Sequence, residues 1–461
     1  MQVQQAGIEV AGHNMANVNN PAYARQRVSI QTSSPIHTEH GWEGTGADVA
    51  RITQIRDVLL DYQIANEAAF TGSLEAQQQA LQYAQADLGQ QIDRGASGAE
   101  GTAAAAGTGK QHGIGDSISA LFNQFQSLSL QPSSETERDL VLTKATELAD
   151  RFQQTDKRLD DLRKSLNSSV STDVDQVNGI LADLAKLNRQ IGDAEAMGDS
   201  TANDIRDTRQ GKLEELAKLV KFDAVEGNSG AVNITIGGVP VIEGTSVTEK
   251  LEAYDAGGKT MVRGAASGTP LDITGGRLNG TIEARDGAVQ TLRDDLSKLA
   301  TSLIGEVNRV HRNGFGKDGT TGLDFFQGTS AADMRVNQTL LDDPTKLQAS
   351  DAPGAAGNNK IAMALGQLQN APITALGTQT FAQKYSQVVA GVGNALSSVN
   401  EQITDQGVVS NMLQQQRDSV SAVSLDEEMT DLVKFQKAYQ ASARLVNVIN
   451  EMLDTVVNMI H

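Results

Sequence analysis

The two ends of the chain carry the same kind of helical stripe. Near the C-terminus Leu425, Met429, Leu432, Tyr439, Ala443, Val446, Leu453, Val456 and Ile460 recur at steps that mostly add to three, four or seven. That is the spacing of a coiled-coil seam. Near the N-terminus Ile8, Ala11, Met15 and Val18 keep the same step, and Asn17 to Pro21 then breaks the helix with a turn sequence. Two terminal amphipathic helices with no apolar partner of their own are expected to lie antiparallel against each other and to pair with copies of the chain. Everything between them then reads as an insert.

The last helix has a defined start. Ser424-Leu425-Asp426-Glu427 fits a capping box, with acids in the first turn where the helix dipole favours them. Running unbroken to the end, this helix would span about 54 Å at 1.5 Å per residue.

Composition narrows the classes of function. At 461 residues, the chain has room for about three domains. Aromatics are only 4% of residues and Gly numbers 44, which suits thin helical layers burying Ala, Leu and Val better than one large core. A net charge of -19 repels phosphate backbones and anionic lipid, so nucleic acid is excluded as a partner. With no cysteine there are no disulfides, thiol chemistry or Cys-based metal sites. Met1 to Glu9 lacks a basic region followed by an apolar run, and no stretch approaches a spanning helix, so no membrane insertion is expected and any export proceeds without a cleavable signal peptide.

Along the chain, alternation around Val28 to Thr32 and Asp48 to Thr53 predicts short strands or an extended arm. A helix is expected from Asp57 to Ile92, then a flexible Gly/Ala/Ser loop from Gly95 to Gly115. Ser134-Glu135-Thr136-Glu137 is a second capping box. Behind it Leu148, Phe152, Leu159, Leu162, Leu166, Val170, Val177, Leu184 and Ile191 sustain a rod with a possible break at Asn167 to Thr172. Another helix is expected over Asn203 to Val220. From Phe222 the period changes to two, with Val232, Ile234 and Ile236 on one face, which predicts a small β domain. Helix resumes from Ile282 to Arg312, followed by a Gly-rich loop and helices at Lys360 to Leu368 and Thr380 to Arg417. The fold class is therefore mainly α with a β insert. Residues 1–30 with 424–461 form the terminal coiled coil, 31–221 with 283–423 a long-helix rod with short strands, and 222–282 the inserted β domain.

Motifs for chemistry are weak. Gly109-Lys110 and Gly258-Lys259-Thr260 lack the leading Gly and the strand-to-helix context of a phosphate loop and read as turns. His37, Glu39, His40 and Glu43 lie on a polar extended segment that does not aim three ligands at one point. His311 reads as a dipole partner at a helix end. The loop around Asp318 lacks the alternating ligands and closing Glu of a calcium loop and reads as a hairpin. No catalytic motif appears, and no cofactor, metal or enzymatic role is expected.

The residues do resemble a family. Ala16-Asn17-Val18-Asn19-Asn20-Pro21-Ala22-Tyr23-Ala24-Arg25-Gln26 is similar to the N-terminal signature of the bacterial flagellar rod, hook and hook-associated proteins, with Asn17, Pro21, Tyr23, Arg25 and Gln26 as its marks. That family has Gly where Ala22 stands, so a turn requiring positive φ would be strained or replaced here. The run from Ser424 to Ile460 looks most like the hook-filament junction members, on its Leu425-Asp426-Glu427-Glu428-Met429 opening. The chain begins close to the signature, so the usual opening of the first helix is expected to be shortened.

The resemblance implies a structural subunit of the extracellular flagellum, exported through the type III apparatus and assembling at the hook-filament junction. Its implied partners are copies of itself, the hook protein, an adjoining second junction protein, and a cytoplasmic export chaperone on the C-terminal helix. The assembly seam implied by the stripes comprises Ile8, Met15, Val18, Leu425, Met429, Leu432, Tyr439, Val446, Leu453 and Val456. The alternatives are a hook or rod subunit of the same axial family, or a surface adhesin using the β insert.

Overall fold

The computed structural model describes residues 1–39, 41–88, 113–196, 202–227 and 230–459. The chain opens with α1 (Gln2–Ala16), strands β1 (Gln26–Thr32), β2 (Ile36–Thr38), β3 (Gly41–Glu43) and β4 (Ala47–Gln54), and α2 (Val58–Asp87). Helix α3 (Ile114–Leu130) precedes α4 (Glu135–Ala196) and α5 (Asn203–Leu219). Next come β5 (Asp223–Glu226), β6 (Val232–Ile236), β7 (Val239–Glu243), β8 (Ser246–Val247), β9 (Leu251–Asp255) and β10 (Thr260–Gly264). Then follow α6 (Gly276–Glu283), a π-helical stretch Ala284–Val289, α7 (Gln290–His311), β11 (Phe326–Gln327), β12 (Arg335–Val336), α8 (Gln338–Asp342) and α9 (Lys360–Gln367). The last helices are α10 (Phe381–Ser421) and α11 (Leu425–Met459). The protein is mainly α with a β insert, as the patterning predicts.

The described residues form two compact units: Met1–Ser73, Ser171–Asn279 and Ile403–His461 make the first, Leu74–Val170 and Gly280–Gln402 the second. Local chemistry sets the helix starts. Asp57 accepts from the backbone N–H groups of Leu59 and Leu60, capping α2. The Ser134 hydroxyl accepts from Glu137 N at 3.3 Å, so α4 begins where its capping box predicts.

Helix α4 then runs 62 residues without the break expected at Asn167 to Thr172. Ser168 and Ser169 turn their hydroxyls onto the carbonyls of Lys164 and Ser165, keeping their polarity within the helix. Every residue of the predicted stripe from Leu148 to Ile191 is buried.

The insert is a four-stranded antiparallel meander, β5-β6-β7-β8, beside the hairpin β9-β10. Val232, Ile234 and Ile236 are buried as the alternation requires. Two α4 asparagines hold it: Asn178 bonds Leu251, and Asn188 bonds Val232 and Gly244. Gly257-Gly258 turns the β9-β10 hairpin at positive φ, so the Gly258-Lys259-Thr260 sequence lies at a turn, as expected. Gly276 has φ +78 and its missing Cβ would lie 2.4 Å from Leu219 C, so only glycine allows α6 to start against the end of α5. Helix therefore resumes at Gly276, ahead of the expected Ile282.

In the second unit aromatic pairs anchor the core: Phe122 stacks on Phe381, and Phe325 meets Phe125, Phe326 and His311. His311 sits in the last turn of α7, the place expected of a dipole partner, and is fully buried there. Its Nδ1 lies 2.8 Å from the carbonyl of Leu323, and its Nε2 accepts from Gln348 N at 3.0 Å. That network fixes the neutral tautomer, and burial pushes the imidazole pKa down to about 4. Among the described residues no helix is long and apolar enough to cross a membrane. The expected loop at Gly95 to Gly115 falls mainly outside the described residues, as do Gly109-Lys110, His40 and Ile460.

Candidate functional site

The two chain ends meet in the first unit. Asn14 on α1 donates to a Glu428 carboxylate oxygen at 3.0 Å, and a Cβ on Gly7 would sit 2.6 Å from the Phe435 ring. Seven residues back along α1 correspond to seven forward along α11, so the helices are antiparallel. The buried face of α1 is Val3, Gly7, Val10, Ala11 and Asn14. Opposite it lie Glu428, buried, and Leu432, Phe435 and Ala438, half-buried.

The predicted stripe is displaced from this contact. Ile8, Met15 and Val18 are half-buried, Leu425, Met429, Tyr439, Val446, Leu453 and Val456 are exposed, and only Leu432 joins the intrachain face. The exposed side of α11 is thus a second apolar face, separate from the one that α1 covers. Continued at the same register, Met1 falls opposite about Ala441. From Leu445 to Met459 all described side chains are exposed.

A polar hub locks the pairing. The turn after α1 is closed by Asn17, whose side chain donates to His13 O at 3.0 Å, and by Asn20, whose Oδ1 accepts from Ala22 N at 3.1 Å. Ala22 keeps a negative φ, so an Asx turn replaces the geometry that a glycine would supply. This delivers Tyr23, Arg25 and Gln26 to one point. Asn14 is fully satisfied there: Oδ1 accepts from Tyr23 Oη at 2.7 Å and Gln26 N at 2.9 Å, while Nδ2 donates to Gln26 O and Glu428.

Arg25 Nε donates to Glu428 at 2.7 Å, and its Nη1 to Glu427 at 2.5 Å. Glu427 therefore faces Arg25, not its own helix cap as a capping box would have it. Backbone bonds carry the join onward, from Arg25 N to Ser421 O and from Ile55 N to Arg25 O.

Helix α5 closes the hub from the other side. Gln26 bonds both Asp204 and Asn203, and Asp207 Oδ1 accepts from Ala24 N at 3.2 Å and from Arg56 at 2.7 Å. Arg56 also donates to Ala22 O and Asp61. Burial pushes the Asp207 carboxyl up to about 6 although Arg56 opposes the shift, and its Oδ2 has no hydrogen-bond partner among the described residues. Burial, then Asp207, Asp204 and Glu428, raise the Tyr23 phenol well above its ordinary value, so it stays a donor to Asn14.

The signature residues Tyr23, Arg25 and Gln26 thus converge, while Asn17 and Pro21 line an open pocket of about 310 Å³ between the turn and the end of α10. Sequence reasoning missed Gly7, Asn14, Arg56, Asp207 and Phe435. A lone Gly or Asn on a helix and an Asp far along the chain carry no local mark of a shared contact. Among the described residues no group of three potential metal ligands exists.

A family model described as flagellar hook-associated protein FlgK helical domain matches residues 104–326, and one described as flagellar basal body rod FlgEFG protein C-terminal matches 414–459. Flagellar hook-associated protein 1 of Bacillus subtilis is 27% identical, over 99% of this chain and 96% of its own length. The Salmonella typhimurium protein of the same name is 22% identical over 100% of this chain and 98% of its own. Among solved structures, the flagellar hook junction protein FlgK from Burkholderia pseudomallei superposes with a TM-score of 0.64 at 15% identity. That match covers 78% of this chain and all of that one.

Proposed function

We propose, from the premise that this chain belongs to the flagellar hook-associated protein 1 family, that it is a structural subunit at the junction of hook and filament. The observation that carries this is a likeness running through both chain ends, where the signature and the start of α11 are joined by Arg25, Asn14 and Glu428. A subunit of an open assembly must carry two different contact patches, since head-to-tail growth never closes on one. Helix α11 supplies one such patch, since one of its faces is used within the chain against α1 and the other is exposed.

The bare face supplies the seam, and Leu425, Met429, Tyr439, Val446, Leu453 and Val456 are its residues, joined by Ile8, Met15, Val18 and Leu432. The partners are copies of the chain, the hook protein below and an adjoining second junction protein above. Before export through the type III apparatus a cytoplasmic chaperone covers the same stripe, because an exposed apolar face able to pair with itself would otherwise assemble inside the cell. The work done is adhesion between subunits, with no turnover.

A strain lacking the chain tests this. It should build hooks, bear no filaments and shed flagellin into the medium, with attachment restored by the intact chain. Normal filaments in that strain would refute the reading. Labelled protein on isolated hook-basal bodies should form a band at the distal hook end; label along the whole hook would favour a hook subunit.

A further inference from the structure

Helix α11 carries an exposed apolar row beside the face that α1 covers. Asn14 and Gly7 of α1 lie against Glu428 and Phe435. Met429 is one residue past Glu428, so its side chain leaves the helix about 100° around from that covered face. Leu425, Met429 and Val433 stand four residues apart and form a single row, with Met429 in the middle at 55% exposed. Helix α1 runs alongside this stretch, so the row is exposed with its intrachain partner already in place.

A methionine at that position has a chemistry that its aliphatic neighbours lack. Peroxide oxidises the thioether sulfur, and the sulfoxide puts a polar group where a flexible apolar one stood. The chain has no cysteine, so no thiol of its own competes for the oxidant. Exposure then decides which sulfur reacts. Met334 is fully buried and Met15 and Met261 are half-buried, whereas the side of Met429 lies open to a small solute. The net charge of -19, with Asp426, Glu427 and Glu428 in the first turn of α11, repels anionic oxidants and leaves uncharged ones free to approach.

We propose that Met429 is an oxidation site through which hydrogen peroxide disables the exposed face of α11 in the free chain. This rests on the reading of that face as the assembly seam and adds how the seam is regulated. The sulfur attacks one peroxide oxygen, the O–O bond breaks and an S=O bond forms. The other oxygen leaves as water with both peroxide protons, and the sulfur loses the two electrons that the peroxide gains. Docking a neighbour on the oxidised row would bury the sulfoxide oxygen among apolar side chains, which opposes the contact. Once docked, the thioether is covered, so the reaction is confined to subunits that have not yet assembled.

The test needs no substitution. Purified full chain is treated with hydrogen peroxide to partial conversion and offered to hook-basal bodies isolated from a strain lacking it. Peptide mass spectrometry of the bound and unbound chain reads each methionine separately. Met429 sulfoxide should be depleted several-fold from the bound chain, while sulfoxide at Met363, which is 44% exposed on α9 of the second unit, should be shared evenly. A methionine sulfoxide reductase with a thiol should return the unbound chain to the bound fraction. Met429→Gln, which places a polar amide in the row without any oxidant, should bind several-fold more weakly than the native chain.

Equal Met429 sulfoxide in the two fractions would overturn the proposal while leaving the junction reading intact. So would a Met429 that stays reduced where Met363 is converted, or one that oxidises as fast in assembled junctions as in the free chain. Failure of the untreated chain to bind hooks would instead overturn the junction reading, and the proposal with it.

Discussion

At the scale of residues the first unit depends on close fit and on buried charge. Gly7→Leu should force the Phe435 ring aside, destabilising the α1–α11 pairing by about 1–3 kcal/mol, and Phe435→Ala should recover part of the loss; protease protection of α1 reads both. Glu428→Ala should cost about 1–3 kcal/mol, because it leaves an Asn14 donor unpaired and Arg25 with only the exposed Glu427. In the second unit His311 contributes to acid stability. Its folded pKa, about 4, lies below the unfolded value of about 6.5. Stability is therefore full above pH 6.5 and is lost as pH falls toward 4, by about 3 kcal/mol in all. Thermal unfolding of the whole chain across pH 7 to 4 should show this, and His311→Gln should flatten it. Asp207 acts in the opposite sense. Its folded pKa of about 6 is raised above the unfolded 3.8, so its contribution is present at low pH and lost as pH rises through 6.

At the scale of elements α11 packs on α1 from Glu428 to about Ala441, and its described side chains from Leu445 to Met459 are exposed. Hydrogen exchange on the free chain should show protection from Glu428 to about Ala441 and rapid exchange beyond it, since an isolated helical extension has only its own propensity to hold it. Uniform protection to Met459 in a verified monomer would contradict this. Val446→Asp should abolish filament attachment while circular dichroism of the free chain stays unchanged. Leu432→Asp should disturb both, because Leu432 also lies against α1. Lys437→Ala, on exposed surface, should change neither by more than about 0.5 kcal/mol. Much of this was legible in the sequence. Heptad spacing marked the α4 stripe and α11, alternation marked β6, and Ser134 marked the start of α4. The face that α11 turns to α1 was not legible, because Leu432 serves both faces and a buried Glu428 reads as an ordinary first-turn acid. The uninterrupted run of α4 was hidden for a similar reason: Ser168 and Ser169 bond carbonyls of the preceding turn, a choice of partner that the sequence does not display.

At the scale of the whole molecule the two units are interleaved along the chain. The first needs Met1–Ser73, Ser171–Asn279 and Ile403–His461, whereas the second is complete by Gln402. A chain ending at Gln402 should keep cooperative unfolding of the Leu74–Val170 and Gly280–Gln402 helices while α1 and α5 lose protection, measurable by hydrogen exchange. Replacing residues 222–274 by a short turn should preserve filament attachment but loosen α4 near Asn188, whose amide would lose its strand partners; Lys221 N and Gly275 O are already bonded across that gap. The interleaving also sets a time order. In synthesis, which proceeds from the N-terminus, α1 waits for the last segment before it can close, since Glu428 and Phe435 arrive some four hundred residues after Asn14 and Gly7. The first unit is then the last to form, and the polypeptide stays unlatched at its leading end until its final segment has emerged.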